Sequence, residues 1–273
     1  MPDWSDAPGC RVRINDKSLE YACFGPPPAQ APTLVLLHEG LGSVGLWRDF
    51  PQAVSNATGM GVLVWSRAGY GRSDTITLPR NRDYMTEEAT AGLGPLLDAF
   101  DIRQAVLLGH SDGASISVIY AGSVSDMRVR GLVLLAPHFF VERVGLDAIR
   151  TAGEAFTTGD LRQRLARHHD DPEAAFMGWH DVWTSSEYRN WDICDCIDHL
   201  RVPVLAVQCR DDPYGTLAQI HEVETRMYAP VETLILEGCG HSPYLEAQAA
   251  CLEAVRDFCG RLNRLEAVRV ATG

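Results

Sequence analysis

The chain has 273 residues, 46% of them hydrophobic, with 24 Lys and Arg against 36 Asp and Glu and a formal net charge of -12. That length suits one large domain with a sizeable core, and the acidic balance repels phosphate backbones and anionic lipid, which excludes nucleic acid and a membrane surface as partners. No stretch approaches the ~18 apolar residues of a membrane span, and MPDWSDAPGC lacks the basic and apolar regions of a secretion signal, so the expectation is a soluble, cytoplasmic protein.

In chain order, CRVRIN (10–15) and SLEYACF (18–24) alternate apolar with polar side chains around the dipeptide DK, the pattern of an antiparallel hairpin at one sheet edge. After the Pro-rich connection GPPPAQAP come six short apolar runs: TLVLLH (33–38), GVLVW (61–65), AVLLG (105–109), GLVLLA (131–136), VPVLAVQ (202–208) and ETLILEG (232–238). Runs with no polar alternation predict strands buried on both faces, hence parallel strands covered by helices. Helix-like segments fall between and after them at 47–57, 85–100, 113–123, 217–227 and 244–262. Alternation of this kind predicts an α/β fold with a doubly covered, mostly parallel sheet of about eight strands.

The interval 138–200 breaks the rhythm. It contains no strand-like run but holds Trp179, Trp183, Trp191 and four phenylalanines. A structureless loop of that length is improbable in a compact domain, so an inserted helical cap is expected over 138–200, with the core made of 1–137 and 201–273.

Eight cysteines spread from Cys10 to Cys259, several inside apolar runs, read as buried reduced thiols. Cys194 and Cys196 form a lone C-x-C without a second ligand pair, so no metal is expected.

Ser111 lies in G-H-S-D-G, directly after the run AVLLG and before the helix-like GASISVIYAG. This strand-turn-helix setting is that of a nucleophile elbow, whose flanking glycines (Gly109 and Gly113) admit a turn too tight for side chains. A serine hydroxyl needs a base and a carboxylate to orient that base. His241, in the glycine-rich loop after the last run, offers the base, and Asp211 and Asp212, after the preceding run, offer the carboxylate. His110 reads as packing of the elbow, Arg67 and Arg72 as loop anchors, and His168 and His169 as a solvated helix end.

With LLHEGLGSVGLW, SRAGYGRSD and GHSDGAS, the chain resembles α/β-hydrolase-fold serine hydrolases of the haloperoxidase-like and meta-cleavage-product-hydrolase-like type, from about residue 10 to 262. The resemblance implies an α/β-hydrolase fold with a helical cap and the catalytic set Ser111, Asp212 and His241. Asp212 is preferred to Asp211 because Cys209 stands where the family's G-x-x-D has its glycine. It also implies an oxyanion hole from the backbone N–H groups of Asp112 and Gly40, with Leu41 the competitor for the second. Glu39 departs from the family's His-Gly pair; it is either a structural hydrogen-bond acceptor or a group that works on the substrate. Glu39, Leu41, His138, Glu142, Trp179 and Trp183 are the substrate-binding candidates.

The function expected is hydrolysis of a carboxylic ester or lactone of a small to medium apolar substrate, without cofactor. Hydrolysis of a carbon-carbon bond in a vinylogous diketone is the alternative, and peptidase, thioesterase and acyltransferase activities stay open. A small-molecule receptor on the same fold is the reading of another class. Haloalkane dehalogenase and epoxide hydrolase are disfavoured, since those relatives carry aspartate where this chain has Ser111. Homodimer formation is left open.

Overall fold

The computed structural model describes residues 2–272, with side chains as far as Arg264. Its sheet has eight strands: β1 (Arg11–Ile14), β2 (Lys17–Phe24), β3 (Thr33–Leu37), β4 (Gly61–Trp65), β5 (Ala105–His110), β6 (Val129–Leu135), β7 (Val204–Cys209) and β8 (Val231–Leu236). They lie in the order β1-β2-β4-β3-β5-β6-β7-β8. β1–β2 and β2–β4 pair antiparallel and every later pair is parallel. In the β1–β2 hairpin Ile14 pairs with Lys17, so the turn falls on Asn15–Asp16, one residue earlier than DK implies. Asn15 has φ 52°, a left-handed conformation that asparagine tolerates better than most residues.

The helices are α1 (Phe50–Thr58), α2 (Tyr84–Glu87), α3 (Gly94–Ala99), α4 (Asp112–Ser123), α5 (Arg143–Thr158), α6 (Leu161–Leu165), α7 (Pro172–Thr184), α8 (Cys194–Asp198), α9 (Ala218–Arg226), α10 (Pro243–Glu246) and α11 (Gln248–Thr272). Two segments expected to be single helices are divided: a π-helical stretch, Glu88–Leu93, lies between α2 and α3, and Ala247 separates α10 from α11.

β3, β4, β5 and β7 are buried at every residue, because helices cover both faces. Alternate side chains divide between two cores. Val35, Leu37, Leu107 and Leu134 pack with α4 and with aromatic residues of α7, whereas Leu34, Leu36, Leu108 and Leu135 pack with α1 and α11. β8 departs from the expected double burial: with a single neighbouring strand it is half-buried along most of its length.

Between β6 and β7 the described chain has no strand; its regular elements are helices, with one isolated bridge, Phe140–Asp192. Backbone bonds from Ile193 to Phe139 (2.7 Å) and from Val141 to Trp191 (3.2 Å) close the neck of this excursion. α5, α6 and α7 pack on one another beyond the neck, while α8 returns to the core and packs on α4, where Gly122 is pressed against the Cys196 carbonyl.

The cysteine reading needs one correction. Cys209 and Cys239 form a disulfide joining the end of β7 to the loop after β8, while the other six cysteines are free. The pair is separated by 30 residues in sequence and adjacent only through the parallel pairing of β7 with β8.

Leu107 is fully buried at the centre of β5. Replacing it with alanine leaves a cavity that the close-packed strands cannot fill, and Leu107→Ala is expected to cost about 2–5 kcal/mol by urea denaturation.

Candidate active site

The site lies at the carboxyl edge of the sheet, where β3, β5, β6, β7 and β8 end. Ser111, between β5 and α4, has φ 52° and ψ -116°, a strained conformation for a residue with a side chain. Close approach enforces it: a Cβ on Gly109 would overlap the Gly113 carbonyl, and one on Gly113 would overlap the carbonyl of Leu37 in β3. Ser111 N–H donates to Leu135 O (2.9 Å), and Ala114 and Ser115 N–H return to Ser111 O, so the backbone of the turn is held on both sides. Among the described residues the Ser111 hydroxyl makes no hydrogen bond.

His241 Nδ1 lies 2.8 Å from Asp212 Oδ2 and 3.0 Å from Oδ1. Asp212 also accepts from the Tyr214 N–H (2.8 Å) and the Gln208 amide (3.0 Å). Burial pushes the Asp212 carboxyl up, but the hydrogen bond and charge of His241, with the Tyr214 N–H, outweigh it and leave the pKa below the ordinary carboxylate value. The carboxylate acceptor assigns the hydrogen of the His241 ring to Nδ1, leaving Nε2 as the basic nitrogen. Asp211 is turned elsewhere, accepting from Gly238 N–H at 3.3 Å. Cys209 and Cys239, three residues before Asp212 and two before His241, tie the two loops together.

Arg67 organises the loop after β3. Its guanidinium donates to His38 O (2.6 Å) and Glu39 O (3.0 Å), and Glu39 O also accepts from His38 Nδ1 at 2.7 Å. His38 Nε2 in turn accepts from the Arg67 N–H (3.1 Å), which assigns a neutral imidazole. In a trans peptide the C=O and N–H point in opposite directions. With the Gly42 N–H (3.1 Å), three donors on the Glu39 carbonyl therefore fix the direction of the Gly40 N–H and polarise it. Among the described residues neither Gly40 N–H nor Asp112 N–H has a hydrogen-bond partner. Gly40 is closely covered by the Trp179 indole, which a Cβ would overlap.

Buried charge is matched within the same layer. The Asp112 carboxylate accepts from Tyr84 OH and lies 4.0 Å from Arg67, both side chains being 1% exposed. Burial pushes its pKa up, against the lowering effect of Arg67. Glu39, the departure from the His-Gly pair, is turned toward Gly42 and His110, whose Nδ1 is 3.4 Å from Glu39 Oε2. His110 Nε2 donates to the His241 carbonyl (2.7 Å), so His110 spans the Glu39 and His241 loops in addition to packing the elbow.

Ser111, Asp112, His138, Glu142, Trp179 and Trp183 line a narrow cavity with about 310 Å³ of empty space, mouth included; Glu39 and Leu41 stand outside that lining. The rings of Tyr214 and His138 lie 4.7 and 5.6 Å from that of His241. Trp191 stacks on Tyr188 away from the cavity. His169 corrects the expectation of a solvated helix end. It is 2% exposed, accepts from Gly71 N–H at 2.9 Å and donates to Leu41 O at 3.0 Å, pinning the helical excursion to two core loops. Arg72 adds an exposed ion pair to Asp170. Tyr214, Gln208, Tyr84 and His169 carry no motif, and their parts follow from three-dimensional packing alone.

A sequence model described as the alpha/beta hydrolase family matches residues 34–254. The chain belongs to that family. This alpha/beta hydrolase is 22% identical to a proline iminopeptidase of Lactobacillus delbrueckii subsp. bulgaricus over 90% of its own length and 98% of the relative's. It shares 32% identity with epoxide hydrolase B of Mycobacterium tuberculosis over a shorter stretch, 42% of this chain and 31% of that one. In three dimensions the alpha/beta hydrolase is similar to the enol-lactonase of Burkholderia xenovorans (TM-score 0.69, 21% identity, 91% of this chain and 98% of that one). It is also similar to an esterase from a Rhodococcus species (TM-score 0.66, 19% identity, 92% and 98%).

Arg67→Met in this alpha/beta hydrolase strands the buried Asp112 carboxylate and is expected to cost about 3–5 kcal/mol of stability, read by chemical denaturation. Stability should also fall with acid. Burial first, then neighbouring positive charge, pushes the pKa of His38 well below its ordinary value and that of His138 down to about 3, and burial lowers that of His169. The folded state keeps these rings neutral while the unfolded chain takes up protons below about pH 6.5, so their stabilisation is complete above that pH and lost as pH falls. His138 alone accounts for a loss of about 3 kcal/mol between pH 7 and pH 4, with Asp112 working in the opposite direction. Urea melts across that range measure the slope.

Proposed function

We propose that the protein is a serine hydrolase that transfers an acyl group from a small ester or lactone to water. Ser111 Oγ attacks the carbonyl while His241 Nε2 takes its proton. Asp212 holds the imidazole and stabilises its charged form, and the Gly40 and Asp112 N–H groups receive the oxyanion. Collapse of the tetrahedral intermediate expels the alcohol, which takes the proton from His241. Water, deprotonated by the same imidazole, then releases the acid. The observation that carries this reading is the Asp212–His241 pair at 2.8 Å on the same sheet edge as the strained turn of Ser111.

Two features add support. The Glu39–Gly40 peptide is held before any substrate arrives, the preorganisation that makes oxyanion donors effective. The excursion α5–α7, pinned through His169, lays Trp179 and Trp183 over the cavity and serves as a cap that excludes water from the acyl-enzyme. The enclosed part of the cavity is only about 20 Å³, room for a single small group beside Ser111, so a substrate has to be compact or the cap has to move to admit it. Names such as enol-lactonase, esterase and proline iminopeptidase among the relatives agree with acyl transfer to water.

A fluorophosphonate probe should add one adduct to the wild type, seen by intact mass, and none to Ser111→Ala. A folded wild type that takes no label would turn the reading toward a small-molecule receptor. Asp212→Asn is expected to lower kcat by roughly 10⁴, as a misplaced tautomer does in comparable triads, and Asp211→Asn by less than about threefold; the reverse ranking would move the acid to Asp211.

A further inference from the structure

One corner of the cavity is rich in acceptors. Besides Ser111 it is walled by Leu146, Ile149, Trp179, Trp183 and Tyr214, and no lysine or arginine lines it. Asp112 spends one carboxylate oxygen on Tyr84 and has Arg67 as its counter-charge. His138 and Glu142 remain. His138 is 7% exposed, and among the described residues neither ring nitrogen has a hydrogen-bond partner. Burial and the neighbouring His241 hold its pKa at about 3, so the ring is neutral and keeps a lone pair.

Glu142 accepts from the Thr216 N–H (2.9 Å) and the Gln219 amide (2.8 Å) through Oε2, and from the Thr216 hydroxyl (2.6 Å) through Oε1. All three donors are neutral, and among the described residues no lysine or arginine forms an ion pair with it. Oε1 keeps acceptor capacity, since a carboxylate takes about four hydrogen bonds. Gly215 lies between the two side chains. Its φ is not in the left-handed region, so glycine serves here for space: a Cβ would stand 2.9 Å from His138 Cε1, 3.2 Å from His138 Nδ1 and 3.7 Å from Glu142 Oε2.

We infer that the corner made by His138, Glu142 and Gly215 binds a hydrogen-bond-donating group of the substrate, a hydroxyl or an ammonium, beside the Ser111 hydroxyl. This deepens the serine-hydrolase reading and rests on it for the position of the scissile bond. Two acceptors and no cation attract a donor and repel a carboxylate. The favoured acyl group is therefore compact, carries a hydroxyl or amine a few bonds from the carbonyl, and is not an acid.

The experiment compares 4-nitrophenyl esters of butyrate, 3-hydroxypropanoate, β-alanine and hydrogen succinate. The kcat/KM ratios of wild type are set against those of Glu142→Gln and Gly215→Ala, so that intrinsic ester reactivity cancels. The hydroxyl or ammonium ester should lose about tenfold relative to butyrate in both variants, and the succinate ester should gain relative to butyrate in Glu142→Gln. Which of the two donor esters responds distinguishes hydroxyl from ammonium. Ratios unchanged within twofold in both variants, with fluorophosphonate labelling intact, would overturn the inference and leave the hydrolase reading standing. Binding of β-alaninamide, 3-hydroxypropanamide, butyramide and succinamate to Ser111→Ala, followed by NMR titration, reads the same corner without turnover. Tighter binding of a donor amide, lost in Ser111→Ala/Glu142→Gln, supports it even if the wild type hydrolyses nothing, and equal binding of all four refutes it.

Discussion

The tight contact between β3, β5 and the start of α4 is the constraint on which the rest of this molecule depends. Gly113 sits against the Leu37 carbonyl and Gly109 against Gly113, and no residue with a side chain fits either place. The chain between them has to turn within three residues, which drives Ser111 into a left-handed conformation. The parallel strands then do the remainder of the assembly. Because β3, β5, β6, β7 and β8 run the same way, the loops that follow them open at one edge, and residues as distant as 39, 111, 138, 212 and 241 meet there.

Concentrating so many polar groups under an aromatic roof is costly unless each is matched. Here most of the matching is done in pairs that cross between loops: Arg67 with the carbonyls of the β3 loop and with Asp112, His110 with Glu39 and the His241 carbonyl, His169 with Gly71 and Leu41; among the described residues the second oxygen of Asp112 and the His138 ring have no hydrogen-bond partner. The paired groups link one loop to the next, so displacing one loop disturbs its neighbours. The rigidity of this edge is a property of the network more than of any single bond.

Much of this was legible before the fold was known. Apolar runs without alternation identified the buried parallel strands, and the glycines around Ser111 identified the turn, because steric limits on the backbone leave a direct mark on residue choice. The pairing of His241 with Asp212 in place of Asp211 needed the family resemblance, since two adjacent aspartates look alike until the strand fixes which one faces the histidine. Other features left no local trace. His169 stands in a charged stretch, RLARHHDDPE, that looks solvated, and only its packing between two core loops makes it a buried anchor. Cys209 and Cys239 gave no hint of a bond, because their proximity comes from the β7–β8 register. The half-exposed β8 carries the composition of an interior strand, and its place at the edge is a matter of topology.

The Cys209–Cys239 bond changes what happens when the edge of the sheet frays. β8 has one neighbouring strand and opens at a lower free energy than the centre, as edge elements do in hydrogen exchange. Without a cross-link, such an opening would carry the His241 loop away from the Asp212 loop as a free arm. With it, the 30-residue span that includes α9 and β8 is a closed ring, and the ring persists in the unfolded chain. In a chain-entropy description, closing a ring of that size raises the free energy of the unfolded state by about 3.6 kcal/mol. Reduction would thus turn a tethered excursion of one strand into an untethered one, and the molecule would differ in its transient states between oxidising and reducing surroundings even where its average structure stayed the same.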